Sequence, residues 1–361
     1  MPHRSTSRWN SLATRITVVF TLFVLISTLV AGLLVYRGVR DQLLQAARND
    51  MTRTAEQARD RLESAVRMMS EDIAFLSEND AVNDLSASYD SGAGVQRAEA
   101  MDRVSLLMAS FIRSRQQYAQ VRLIGVEGPG RELVRFDRDG SGVRGVAPED
   151  LQIKGDRDYF LSTMALAPGE RYFSPIDLNR EQGRISVPHM PTLRAAAPLF
   201  APSGKRTGIV VINADLRPLF QEIQRFEREH QVLVLADPDG HVLLHPDTAR
   251  MFRHELGEPY ALADLLDEHE ERPITAAAEW GGGSLGRPYR LEVLLARNDL
   301  LAGIHSVRNT SLAITAAIAL LFALMSLLYA RSIGRVLTRL TERVERYAKG
   351  EREQALPVGR K

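Results

Sequence analysis

Two uncharged stretches govern what this chain can become. Residues 16–36 hold 21 positions without a charge between Arg15 and Arg37, and residues 309–330 hold 22 between Arg308 and Arg331. A helix needs about 20 apolar residues to cross the hydrocarbon core of a bilayer. The first stretch is too long for the apolar core of a cleaved signal peptide, and no small-x-small site follows it before Arg37. A buried core helix as long as the second would carry a polar face. Both are read as transmembrane helices. Arg4, Arg8 and Arg15 precede the first, and Arg331, Arg335, Arg339, Arg343 and Arg346 follow the second. Excess Arg marks the cytoplasmic side. Residues 1–15 are therefore expected to form a cytoplasmic tail in a bacterial inner membrane protein, and residues 37–308 one large extracytoplasmic region.

At 361 residues there is room for two or three packed units. The chain has 46 basic and 45 acidic residues, a balance that gives no reason to expect a nucleic-acid partner. It has no cysteine, which excludes disulfides and thiolate metal sites. No cofactor is expected.

The outer region begins helical. Leu44, Ala47, Met51, Ala55, Ala58, Leu62, Ala65, Met69, Ile73 and Leu76 recur every three or four residues. Such a stripe packs on its own domain, on a second copy of itself, or on both, and a homodimer is expected. "SASYDSGAG" (86–94) reads as a loop and residues 98–115 as a second helix. Two hairpin patterns follow and align closely: "QVRLIGVEGPGRELVRFDRDG" (120–140) and "HQVLVLADPDGHVLLHPD" (230–247). Residues 216–229 read as a connecting helix. The expected fold is α+β, two tandem lobes with antiparallel sheets on a long N-terminal helix, between two transmembrane helices.

The segments "KGDRDYF" (154–160), "YFSPIDLNREQGRISVPHMPTLRAAAPLF" (172–200), "GIVVINAD" (208–215) and "DPDGHVLLHPD" (237–247) carry a resemblance. They are similar to the double-Cache, PAS-like sensor domains of bacterial membrane histidine kinases, whose relatives also serve diguanylate cyclases and chemoreceptors. The resemblance implies a distal lobe over about 77–215, a proximal lobe over about 230–297, and a small-molecule pocket in the distal lobe. The matching positions are Arg157, Tyr159, Tyr172, Asp177, Arg194 and Asp215. An Arg fork suits a ligand carboxylate, a Tyr walls a pocket and donates one hydrogen bond, and an Asp holds an ammonium. An amino acid, a carboxylate or an amine is the expected ligand. Against this, Asp156-Arg157-Asp158 is also what a surface ion-pair cluster looks like, and Asn179-Arg180-Glu181 what a solvated turn looks like. The amino-acid-binding members carry a Trp where "RDYF" has none, and Tyr172 and Asp177 are too far apart for their Tyr-x-Asp triplet.

An extracytoplasmic enzyme is the rival reading. No Gly-x-Ser-x-Gly elbow is present. "SGKRTG" (203–208) lacks the upstream glycine of a phosphate loop, and "WGGGSLG" (280–286) reads as a turn. His241 and His245 share a face if they lie on a strand, but no third metal ligand is evident, so both are read as structural. No catalytic residue and no metal are expected.

After the second span, Ile333, Leu337, Leu340, Val344 and Tyr347 are spaced 4, 3, 4 and 3, a heptad seam. Residues 331–361 resemble the first half of a HAMP relay module, with Val336 where a Pro is usual. The expectation is the input half of a sensor histidine kinase, or alternatively of a diguanylate cyclase or chemoreceptor, whose cytoplasmic output domain is missing from this chain.

Overall fold

The computed structural model describes residues 12–91, 94–140, 142–258, 260–268, 273–281, 285–286 and 288–348. The chain divides into two units, Met1–Ala46 with Leu300–Lys361, and Ala47–Asp299.

The first unit takes the start of helix α1 (Leu12–Ser77) and most of α7 (Arg297–Ala348). These are the two helices, among the described residues, long and apolar enough to cross a membrane. Phe20, Phe23, Leu34, Leu320 and Leu321 stand exposed along them. An apolar surface this continuous is costly in water and is what lipid-facing helices present. Of the heptad seam, Leu340 and Val344 are exposed, and α7 stays helical through Ala348. Residues 349–361, including the connector after the seam, lie outside the described residues.

In the second unit α1 buries Met51, Ala55, Ala58, Leu62, Met69, Ile73 and Leu76, the stripe that the 3.6-residue period selects. Helices α2 (Asp80–Ser91) and α3 (Gly94–Ser114) pack beside it on an antiparallel sheet. Truncating a fully buried member such as Ile73 to Ala costs about 2–5 kcal/mol. The sheet runs β3-β2-β1-β9-β8-β4, with β5 also paired to β8. Its strands are β1 (Tyr118–Gly125), β2 (Glu132–Asp139), β3 (Gly142–Gly145), β4 (Tyr172–Phe173), β5 (Asp177–Leu178), β8 (Pro191–Phe200) and β9 (Arg206–Asp215). A short ribbon, β6 (Arg180–Glu181) with β7 (Arg184–Ile185), and helix α4 (Asp158–Met164) complete this larger lobe.

Helix α5 (Arg217–Gln224) leads to the smaller lobe, a sheet in the order β11-β10-β13-β12. These strands are β10 (Gln231–Ala236), β11 (Val242–Leu244), β12 (Ile274–Gly281) and β13 (Pro288–Leu295), with helix α6 (Leu262–Asp267) packed on them. Trp280 and Gly281 end β12, and residues 282–284 of the glycine-rich stretch lie outside the described residues.

The expected loop at 86–94 is corrected. Residues 86–91 complete α2, and 92–93 lie outside the described residues. Val82 and Leu85 are buried, and the Ser86 hydroxyl meets that of Thr207 at 3.1 Å. Packing on the sheet overrides the loop-like composition of this Ser-rich segment.

The lobes are tied directly and through α1. Arg61 donates two hydrogen bonds of 2.8 Å to Glu222, and Gln231 meets both Thr54 and Asp50. Across the junction the Glu255 carboxylate accepts the Leu178 N–H at 2.8 Å and Arg180 at 3.0 Å. Tyr289 Oη accepts the Ile176 N–H at 3.1 Å.

Candidate functional site

Side chains directly opposed in an antiparallel pair share a face, and so do residues two apart on one strand. Gln120 opposes Asn213, Asn213 opposes Arg194, Arg122 opposes Arg135, Tyr172 opposes Ala196, and Asp177 opposes Thr192. All therefore project from one face of the larger sheet, the one away from α2 and α3. Half of this face is apolar and covered by α4, where Phe160 packs on Ile124, Ala196, Ile209 and Val211. The other half is charged and almost dry.

The chain is steered there by Gly155. Its backbone N–H donates to the Pro129 carbonyl at 3.1 Å, and a Cβ on Gly155 would lie 2.2 Å from that oxygen. Only glycine lets the segment before α4 press this closely on the β1–β2 turn. Tyr159 is thereby set against Arg122, whose Cζ stands 5.6 Å from the ring centroid.

Arg122 is buried, with a bond of 2.9 Å from Nη2 to Asn213 and a looser one of 3.4 Å from Nη1 to Glu132. Glu132 is equally buried and accepts the Gln152 N–H at 3.0 Å. Arg135 lies 3.8 Å from Glu132, 2.8 Å from Asp137 and 3.2 Å from Glu181. The β6–β7 ribbon thus lays Glu181 over the sheet, where it also accepts from Gln120 at 2.7 Å. Burial alone would raise the Glu181 carboxyl, but Arg135, the Gln120 amide and Arg122 outweigh it and hold it below the ordinary value. Burial, reinforced by Arg122, lowers the Lys154 ammonium, which donates to Gln152.

Two atoms in this network are not spoken for. Arg122 Nε and Tyr159 Oη are both buried and, among the described residues, have no hydrogen-bond partner. An unmet buried donor costs about 1–3 kcal/mol. Both belong to the same network, in which the Arg122 guanidinium faces the Tyr159 ring.

The structure distributes the six sequence-derived candidates unevenly. Tyr172, Asp177 and Arg194 come together: Arg194 donates to Asp177 at 2.6 Å, and Tyr172 sits in the field of both. Burial raises the Asp177 carboxyl against the pull of Arg194. Tyr159 lies beside Arg122. Arg157 is the exposed N-cap residue of α4, 3.7 Å from Asp156. Asp215 is bound to Arg217 at 2.7 Å and lines a cavity of about 230 Å³ with α1 and Trp280. Sequence reasoning passed over Gln120, Arg122, Glu132, Arg135 and Lys154. The available signal was polar alternation in "QVRLIG" (120–125), in a strand whose positions are all buried.

A family profile described as "Bacterial histidine kinase, sensor domain" matches residues 42–265. A solved domain described as part of a sensory box/GGDEF family protein from Vibrio parahaemolyticus superposes with a TM-score of 0.56 at 17% identity, covering 72% of this chain and 98% of that one. The extracellular domain described as that of histidine kinase vpHK1S-Z8 gives 0.53 at 16%, covering 72% and 93%. The periplasmic sensory domain of the Campylobacter jejuni chemoreceptor Tlp1 gives 0.51 at 9%, covering 72% and 98%. Comparison with curated proteins returns no match. At these identities the superpositions speak for the fold, while the profile spans more than half of the chain. The chain belongs to the bacterial histidine kinase sensor domain family.

Proposed function

We infer that the charged half of the larger sheet face is the sensing pocket, and that it takes a small molecule through a carboxylate or another acceptor oxygen. The observation that carries this is the pair of buried, unpartnered atoms Arg122 Nε and Tyr159 Oη. Tyr172 walls the same face. The Arg194–Asp177 ion pair borders it, with Arg194 already engaged and Asp177 the neighbouring anion available to a ligand ammonium. Arg157 and Asp215 take no part in this pocket.

The two apolar helices support a membrane anchor at both ends of the sensor, with residues 37–308 extracytoplasmic and the helix after the second span acting as a HAMP-like relay. A homodimer would couple through α1. Ligand binding drives such a receptor only by favouring one of two states of the junction where Glu255, Leu178 and Arg180 meet.

The test is thermal shift of the full chain in detergent against L-amino acids, simple carboxylates and amines. Tyr159→Phe removes one unpartnered buried oxygen, so it holds or raises the melting temperature of the free protein and weakens the best hit about threefold to tenfold. Arg122→Met removes the response, while Arg157→Ala keeps it. A hit that survives Arg122→Met and disappears with Arg157→Ala would place the pocket elsewhere.

A further inference from the structure

The turn between β10 and β11 in the smaller lobe brings together three side chains that no feature of the sensing pocket uses. Asp237 Oδ1 accepts the N–H groups of Asp239 and His241, so the carboxylate is locked by its own turn. Its Oδ2 lies 2.9 Å from His241 Nδ1. His254 arrives from a separate segment. Phe252, at φ 54°, holds a left-handed conformation that a bulky side chain rarely adopts, and its N–H donates to the Val242 carbonyl at 2.8 Å. This reversal lays the His254 ring on that of His241, with centroids 4.1 Å apart and planes within 11°. His254 Nδ1 is buried and has no hydrogen-bond partner among the described residues.

We propose that Asp237, His241 and His254 form a binding site for a borderline transition-metal dication, Zn²⁺ in the first place. One ligand atom from each lies within 4.8 Å of the other two. Donors around one zinc ion, at bond lengths near 2.0–2.2 Å, stand about 3.2–3.6 Å apart, so closure asks for side-chain movement of about 1 Å. Parallel rings do not aim their in-plane lone pairs at one point, so one imidazole must turn about its Cβ–Cγ bond. His254 is the one free to do so, because His241 is held by Asp237. Two imidazoles and one carboxylate suit Zn²⁺, Ni²⁺ or Cu²⁺ and not the all-oxygen shells of Ca²⁺ and Mg²⁺. The fourth position stays open to water. With no cysteine in the chain, no thiolate competes for such an ion.

The site would also act on the lobe junction. The ion ties the β10–β11 turn to the Arg253–Leu256 turn, and Glu255, next to His254, is the carboxylate that accepts Leu178 and Arg180 of the larger lobe. Zinc thereby restrains the segment on which the two lobes meet.

Isothermal titration of ZnCl₂ into the full chain in detergent, chelator-treated and with any affinity tag removed, tests the site. One equivalent is expected to bind, with at least tenfold weaker affinity in His254→Gln and in His241→Gln. His189→Gln, at an exposed position outside the three-residue cluster, binds as the parent. A metal-free melting curve of His254→Gln matching the parent shows that the fold is intact. Co²⁺ bound to the parent gives the intense visible absorption of a four-coordinate ion, which His254→Gln loses. The proposal is overturned if the parent binds no zinc, or if the His241→Gln, His254→Gln double variant retains the affinity of the parent.

Discussion

Each lobe sets a short helix on an antiparallel sheet, yet the two sheets bury different chemistry. Under α6 the smaller lobe packs Val234, Ala236, Val242, Tyr260, Leu262, Leu265 and Leu294, and its buried Glu292 pairs with Arg290 at 2.7 Å. Under α4 and the β6–β7 ribbon the larger lobe buries Gln120, Arg122, Glu132, Arg135, Lys154, Asn213 and Arg194. The smaller lobe shows that a mainly apolar layer, with a single buried carboxylate among the described residues of its core face, suffices to hold such a sheet together. Desolvating a charge costs several kcal/mol, and hydrophobic replacements of buried ion pairs are often neutral or stabilising. The charged layer is therefore poorly explained as a stabilising device, which supports the proposal that it is a ligand pocket.

The sharpest way to break this comparison is Glu132→Ala. It strands the buried Arg122 guanidinium without its carboxylate partner and should cost about 3–5 kcal/mol, lost as protection of β1 and β2 in hydrogen exchange followed by mass spectrometry. If Glu132→Ala loses under about 1 kcal/mol, water already reaches the layer and the contrast between the lobes collapses. In the smaller lobe Leu294→Ala should cost about 2–5 kcal/mol by opening a cavity, with the loss of protection centred on β10 and β13. A loss confined to the larger lobe would show that the lobes are not separable in stability.

Glu181→Gln tests the electrostatics of the β6–β7 ribbon and, with a third of the side chain solvated, should cost about 0.5–1.5 kcal/mol at neutral pH. Because Arg135 and Gln120 hold the folded carboxyl below its ordinary value, its contribution is present above about pH 4.3 and disappears as pH falls through the lowered value. The gap between parent and variant in urea midpoint should therefore close on acidification; a gap that widens contradicts the assignment. The smallest effect is expected at Arg61→Ala, about 0.2–1 kcal/mol, because both partners of the Arg61–Glu222 pair are partly solvated.

The elements whose burial follows their own period were legible in the sequence. The α1 stripe announced its buried face through three- and four-residue spacing, and the two sheets announced themselves through paired hairpins with Gly-containing turns. Residues 86–91 were misread because Ser and Asp favour loops when nothing packs on them. The polar face was hidden for a related reason. A strand such as "QVRLIG" alternates in the way a half-solvated strand does, and only the return of residues 154–185 across it turns Arg122 into a buried residue. Arg157 stood out because it belongs to a recognisable segment, yet its place at the N-cap of α4 points it to solvent. His254 carried no local signal. It joins His241 only through the left-handed turn at Phe252.

The apolar stripe of α1 at Met51, Ala55, Ala58, Leu62, Ala65, Met69, Ile73 and Leu76 has a mean spacing of about 3.6 residues, equal to the helical repeat, so it runs parallel to the axis without winding around it. No Gly or Pro interrupts the helix after Gly38, which leaves no hinge to absorb a local twist. Turning such a rod disengages every layer of side chains at the same moment. A sensor that signals by turning this helix is therefore expected to respond at a threshold, with its packed length seated or unseated as one piece, instead of by gradation.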